Sequence, residues 1–205
     1  MVPPGLLAPR NARISMAVGF TFMVGYFGLP FVMSLHLQQH LGLSAPQTGA
    51  AFLAMMLIGL VLTPFIARLV QRFGARPLIV TGLLSMAAGL AAVALLPASA
   101  PVAVIAALMV LEGLSGPFVA QPVAAVLLSC VPGALAGTAS GVLNACRQVG
   151  GALAVAVFGA LLAQASSFMT GMRISLLLAA GIALITAMMG MWLQAAEPSE
   201  MAERT

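Results

Sequence analysis

The chain contains neither lysine nor aspartate, and charged side chains of every kind make up only 6% of its 205 residues. A soluble domain of this length carries about a quarter of its residues as charges, so a water-facing surface of ordinary composition is excluded. The four acids are Glu112, Glu197, Glu200 and Glu203, and the eight basic residues are all arginine. That small surplus sets the net charge of +4, and the arginines stand beside apolar runs, which argues for a topology signal and against a nucleic-acid partner. Only two cysteines occur, Cys130 and Cys146, both in or beside apolar stretches, so neither a disulfide framework nor a cysteine metal centre is expected and both read as small packing residues. No nucleophile paired with a base, no phosphate-binding loop and no metal constellation can be assembled, so the chain is not expected to be an enzyme or to hold a cofactor. The opening MVPPGLLAPRNAR lacks an apolar core followed by a small-residue cleavage site and is expected to carry no signal peptide.

What the chain does have is apolar length: 62% of its residues are hydrophobic and the mean hydropathy is +1.14. A spanning helix needs about 20 mostly apolar residues. Six segments meet that requirement, running from about 14 to 37, 47 to 69, 77 to 96, 101 to 128, 136 to 163 and 172 to 193. An all-α, polytopic membrane protein built as a single six-helix bundle over 1–205 is expected, with 194–205 as a short polar tail. In the first segment, Gly28 and Pro30 predict a bend. His36 and His40 at its end are one turn apart, but two ligands without a third make a poor metal site, and an exposed polar helix end is the expected role. Ser44 to Gln47 reads SAPQ, a capping box that opens the second helix.

The segment AGTASGVLNACRQVGGALAVAVFGALLA, from Ala136 to Ala163, carries Asn144, Arg147 and Gln148 near its middle. At 100° per residue, Ser140, Asn144, Arg147 and Gly151 share one stripe, Gly137, Gly141 and Gln148 lie beside it, and Val142, Cys146, Val149 and Leu153 fall opposite. An arginine at mid-helix costs about 2.5 to 3.5 kcal/mol on insertion scales, so the stripe should face protein or water. Gly137, Gly141 and Gly151 are expected to admit a neighbouring backbone on that side. Glu112 is the one acid embedded in an apolar segment, and Pro117 and Pro122 below it predict a bent or locally unwound helix. Tyr26, near mid-span, either lines a cavity or bonds another helix. Counting at 1.5 Å per residue puts Glu112 about 16 Å from the outer end of its helix and Arg147 about 16 to 18 Å from the inner end of its own. The two are therefore expected to adjoin and to form an ion pair whose opening couples a proton to a conformational change. The alternatives are that the pair merely holds two helices together, or that Arg147 bonds backbone carbonyls and Asn144 while Glu112 faces another helix.

The loop ARLVQRFGAR gathers Arg68, Arg72 and Arg76 on one side, around a tight reversal at Gly74. With Arg10, Arg13 and Arg204 counted on that side and only Arg173 on the other, both termini are expected in the cytoplasm of a cell with the chain in its inner membrane.

These stretches together resemble the C-terminal half of a major facilitator superfamily transporter, of the drug:proton antiporter family with fourteen spans. The resemblance rests on GLPFVMSLHLQQHLGLSAPQTG from Gly28 to Gly49, on ARLVQRFGAR, and above all on GTASGVLNACRQVGGALAVAVFG from Gly137 to Gly159. It departs from the family's loop motif at Ala67, where a glycine is usual, and at Gln71, where an aspartate is usual, while Arg72, Gly74 and Arg76 match. The resemblance implies one half of a major facilitator fold, a 3+3 inverted repeat, holding a small-molecule substrate against a second six-helix half. It implies proton-coupled efflux of hydrophobic drugs by a half-size or truncated chain paired with a second copy or a separate chain, with Glu112, Asn144, Arg147, Gln148 and Tyr26 on the substrate or proton pathway. A non-transporting membrane partner or a remnant of a transporter is the alternative.

Overall fold

The computed structural model describes residues 8–193, so the expected tail at 194–205 lies outside the described residues. Helix α1, Arg10–Leu35, runs on into a π turn at His36–His40. Helix α2, Ala45–Leu62, leads through a 3-10 turn at Thr63–Phe65 into α3, Ile66–Phe73. Then follow α4, Ala75–Ala94, α5, Val102–Ser129, α6, Ala136–Gln164, and α7, Phe168–Gly190. Among the described residues six helical stretches are long and apolar enough to cross a membrane, α2 and α3 counting as one.

Local chemistry sets the boundaries. The Ser44 N–H donates to Gln47 Oε1 at 2.9 Å, which opens α2. Pro64 breaks the expected second span into α2 and α3, because its ring cannot continue the ladder of backbone bonds. Gly74 separates α3 from α4 with φ +86° and ψ 162°, a region open essentially to glycine alone. The last span begins at Phe168, four residues earlier than expected, because Ser167 Oγ accepts from the Thr170 N–H and caps it there. Pro117 and Pro122 sit inside a continuous α5, so of the two expected effects, bending or unwinding, the helix shows no unwinding. One further expectation is corrected. His36 is buried, not an exposed helix end; only His40 is exposed.

The packing is that of two interlocked triplets. The most extensive contacts join α1 to α6, α4 to α5, α4 to α7 and α2 to α5, with α1 on α5 and α7 next. Exchanging the triplet α1, α2, α4 for α5, α6, α7 carries the α1–α6 contact onto α5–α2 and the α4–α5 contact onto α7–α1, so the main contacts map onto one another, while the α6–α7 contact has no counterpart of like extent between α2 and α4. The two triplets start from opposite ends of the bundle, which makes this an inverted repeat. Glycine allows the closest approach at both related contacts. A Cβ on Gly150 of α6 would collide with the Phe20 carbonyl of α1, and one on Gly113 of α5 with the Met55 carbonyl of α2. The ends of the bundle are also tied. Thr21 of α1 bonds Thr186 of α7 at 2.9 Å, and the Arg10 guanidinium lies 5.6 Å from the centre of the Trp192 ring.

Burial is uneven. Within their apolar stretches only 17% of the α2–α3 span and 22% of the α6 span are buried, against 39% to 61% in the others. These two spans are partners under the triplet exchange, so the uncovered surface is as symmetric as the packing.

Candidate functional site

Arg147 enters the bundle from α6 in line with Ala139, Leu143, Gly150, Ala154 and Phe158, the buried face of that helix. Gly19 of α1 packs on this face of α6: a Cβ there would collide with Leu143 Cδ1 at 2.6 Å and would stand in ordinary contact, 3.5 Å, with Arg147 Cγ. Its Nη2 donates to the Ala120 carbonyl of α5 at 2.7 Å, and its buried Nε has no partner among the described residues. A guanidinium tied to one backbone carbonyl and left with spare donors is ready to take further oxygen ligands.

Glu112 of α5 is fully buried, and neither carboxyl oxygen has a hydrogen-bond partner among the described residues. The backbone around it is pinned. Ser85 Oγ of α4 donates to the Leu111 carbonyl at 2.6 Å, and Ser115 Oγ donates to the Glu112 carbonyl at 2.6 Å. Gly89 lets α4 press against this turn, with the Glu112 backbone nitrogen 3.3 Å from where its Cβ would stand. Tyr26 of α1 lies within electrostatic reach of the carboxyl. Its ring is held by Phe22, with centroids 5.1 Å apart, and by Gly116 of α5.

The expected ion pair between Glu112 and Arg147 is not formed. Arg147 meets α5 at Ala120, eight residues past Glu112, which at 1.5 Å per residue is about 12 Å along the axis. Counting from helix ends misleads because α5 has 28 residues, a length of about 42 Å, so its ends do not mark the edges of a hydrocarbon core about 30 Å thick. Of the other arrangement the structure shows Arg147 on a backbone carbonyl, but no bond from Arg147 to Asn144, which is exposed, and Glu112 is buried apart from both.

The polar stripe of α6 is divided as well. Arg147 and Gly151 turn inward, Gly151 placed so that a Cβ on it would lie 3.4 Å from the Phe27 ring, while Ser140, Asn144 and Gln148 are exposed. Gly137 and Gly141, expected to pack helices, have nothing within 4 Å of where a Cβ would stand; they lie on the exposed side of the stripe, where no described neighbour reaches. The close approach belongs to Gly150, which is absent from the expected set although its spacing from Leu143 and Ala154 marks the buried face. Arg68, Arg72 and Arg76 are all exposed around the α3–α4 joint, Arg72 over the ring of Phe73 at 5.5 Å. They lie at the end of the bundle away from Glu112.

The profile of the Major Facilitator Superfamily matches residues 15–205. The chain belongs to that superfamily. It is 32% identical over 225 residues to the puromycin resistance protein pur8 of Streptomyces alboniger, an alignment covering 100% of this chain and 44% of that protein. It is 29% identical over 181 residues to the methylenomycin A resistance protein of Streptomyces coelicolor, covering 88% of this chain and 38% of the other. With the multidrug efflux pump LfrA of Mycolicibacterium smegmatis it shares 30% identity over 161 residues, 78% of this chain and 32% of the pump. The chain thus spans less than half the length of these relatives. It is a multi-pass membrane protein whose six spanning helices form one half of the major facilitator architecture.

Proposed function

We propose that this chain forms one half of a proton-coupled exporter of hydrophobic small molecules and works against a second six-helix half, supplied by another chain or by a second copy. The observation that carries the reading is the uncovered, symmetry-related surface of α2 and α6. On α6 it presents Asn144 and Gln148, amide side chains that are costly against lipid and suited to an aqueous cleft between two halves. On α2 it presents Leu53, Met56, Leu57 and Leu60, an apolar face of the kind a partner helix covers.

In this reading Arg147, held by the Ala120 carbonyl, lies at the floor of the cleft, and Glu112, the one acid of the described spans, takes and releases the proton. Tyr26, half-buried on α1, lies beside Gly116, one turn past that acid on α5. The relatives' names, which concern antibiotic resistance and multidrug efflux, support hydrophobic drugs as the substrate class. The arginine-bearing ends of the helices face the cytoplasm, and the chain lies in the inner membrane with both ends inside, as the excess of arginine on one side supports.

The decisive experiment is the mass of the purified protein in nanodiscs, expressed alone and beside the products of neighbouring genes, followed by proton-driven dye efflux from vesicles. A stable assembly of two halves that moves dye, keeps its mass but loses flux in Arg147→Ala, and loses the pH dependence of flux in Glu112→Gln is the expected result. A lone six-helix chain without flux under every condition would overturn the transport reading and leave a membrane partner or a remnant.

A further inference from the structure

At the end of the bundle opposite the arginine loop, a small cavity of about 10 Å³, room for one water-sized body, is lined by Met33 and His36 of the first span, Met169 and Met172 of α7, and apolar groups from the α4–α5 connection. His36 is 3% exposed and belongs to the π turn, a local widening of the helix that recurs at functional positions. Its Nδ1 is buried without a hydrogen-bond partner among the described residues. Phe168 fixes the ring from one side, the two rings nearly parallel at 12° with centroids 6.0 Å apart. Met33 is fully buried and Met172 nearly so.

A lone water would satisfy this site poorly. It needs two to four polar partners, and the cavity offers an imidazole among thioethers and hydrocarbon. The same donor set suits a different occupant. Thioether sulfur is a soft ligand that selects monovalent copper, and imidazole is an accepted fourth donor for such metals. Hard cations gain nothing from sulfur, and zinc would find a single nitrogen where it requires several nitrogen, thiolate or carboxylate ligands.

We propose that this cavity is a binding site for one soft monovalent cation, copper(I) or silver(I), held by the sulfurs of Met33, Met169 and Met172 and the imidazole of His36. The ligands come from the first and last spans, so the ion clasps α1 to α7 at the end of the bundle remote from the Thr21–Thr186 bond. The site is independent of the cleft and of any transport activity.

The test uses the full chain in nanodiscs under anaerobic, reducing conditions, with copper(I) offered in competition with the chelator bicinchoninate. One equivalent is expected to be retained by the wild type, with affinity at least tenfold lower in His36→Gln and in Met172→Leu and unchanged in Met188→Leu, whose side chain is exposed on α7. Met→Leu conserves core volume, so loss of fold is not the anticipated outcome. Silver(I) provides a second readout: it should raise the unfolding temperature of the wild type and leave that of His36→Gln unmoved. X-ray absorption should show sulfur together with a nitrogen scatterer. Failure to retain copper, equal retention in His36→Gln and Met172→Leu, or a first shell without sulfur would each overturn the proposal, the second by assigning the metal to the other methionines of the chain.

Discussion

At the scale of single residues, membrane cost and backbone proximity govern different positions. That Arg147 and Glu112 must be sheltered is legible from charge in an apolar run, since no lipid-facing place suits either. Their separation is not, because it depends on the vertical register of two helices, and nothing in either helix alone reports that register. The glycines carry the same lesson. Gly137, Gly141 and Gly151 cluster about the polar stripe while Gly150 lies in register with Leu143 and Ala154, yet only the neighbour's backbone shows which glycine is indispensable. Gly150→Ala forces its new methyl into the Phe20 carbonyl, so α1 and α6 must part; a loss of about 1 to 3 kcal/mol is expected, by analogy with overpacked cores. Gly141→Ala meets open space and should stay within about 0.5 kcal/mol of the parent. Reversible unfolding in detergent micelles measures both, and equal effects would contradict the assigned approach.

At the scale of helices, the six spans are readable to within a few residues because apolar length and caps are local properties. The breaks at Pro64 and Ser167 are local too, a ring that cannot continue the ladder and a hydroxyl cap, but apolar length alone runs past them; the π turn at His36–His40 has no motif of its own. Pairing between helices hides in the same way. Thr21 and Thr186 stand far apart in sequence and carry no motif, yet their bond joins the first span to the last. The bond has a direction. Thr186 Oγ1 also donates to the Ile182 carbonyl at 2.9 Å, and a hydroxyl has one proton to give, so Thr21 is the donor across the interface. Thr186→Val therefore strands a buried hydroxyl on α1, costing about 1 to 3 kcal/mol. Thr21→Val leaves Thr186 still bonded within its own helix, and its cost should approach the mean of about 0.6 kcal/mol seen for interhelical bonds in membranes. Unfolding of the two variants and of the double variant separates these values, and a larger loss in Thr21→Val would reverse the assignment.

At the scale of the whole molecule, the uncovered faces of α2 and α6 divide what water reaches from what lipid covers. In a chain with Cys130 and Cys146 replaced by alanine, Asn144→Cys and Gln148→Cys should react with a charged, membrane-impermeant thiol reagent many times faster than Ile185→Cys, whose residue is also exposed but belongs to an apolar face of α7. Equally slow labelling at all three would mean that the polar face of α6 is not bathed by an aqueous cleft. The contact between Arg10 and Trp192 carries a consequence of another kind. The start of α1 and the end of α7 meet on the same side of the bundle, and the connection between α5 and α6 lies on that side too. Chain order is then dispensable to the architecture. A circular permutant that begins at α6, joins α7 to α1 by a short flexible linker and ends at α5 would thread the membrane the same number of times and in the same directions, although α5 would then be parted in sequence from α6 and α7, its companions in the second triplet.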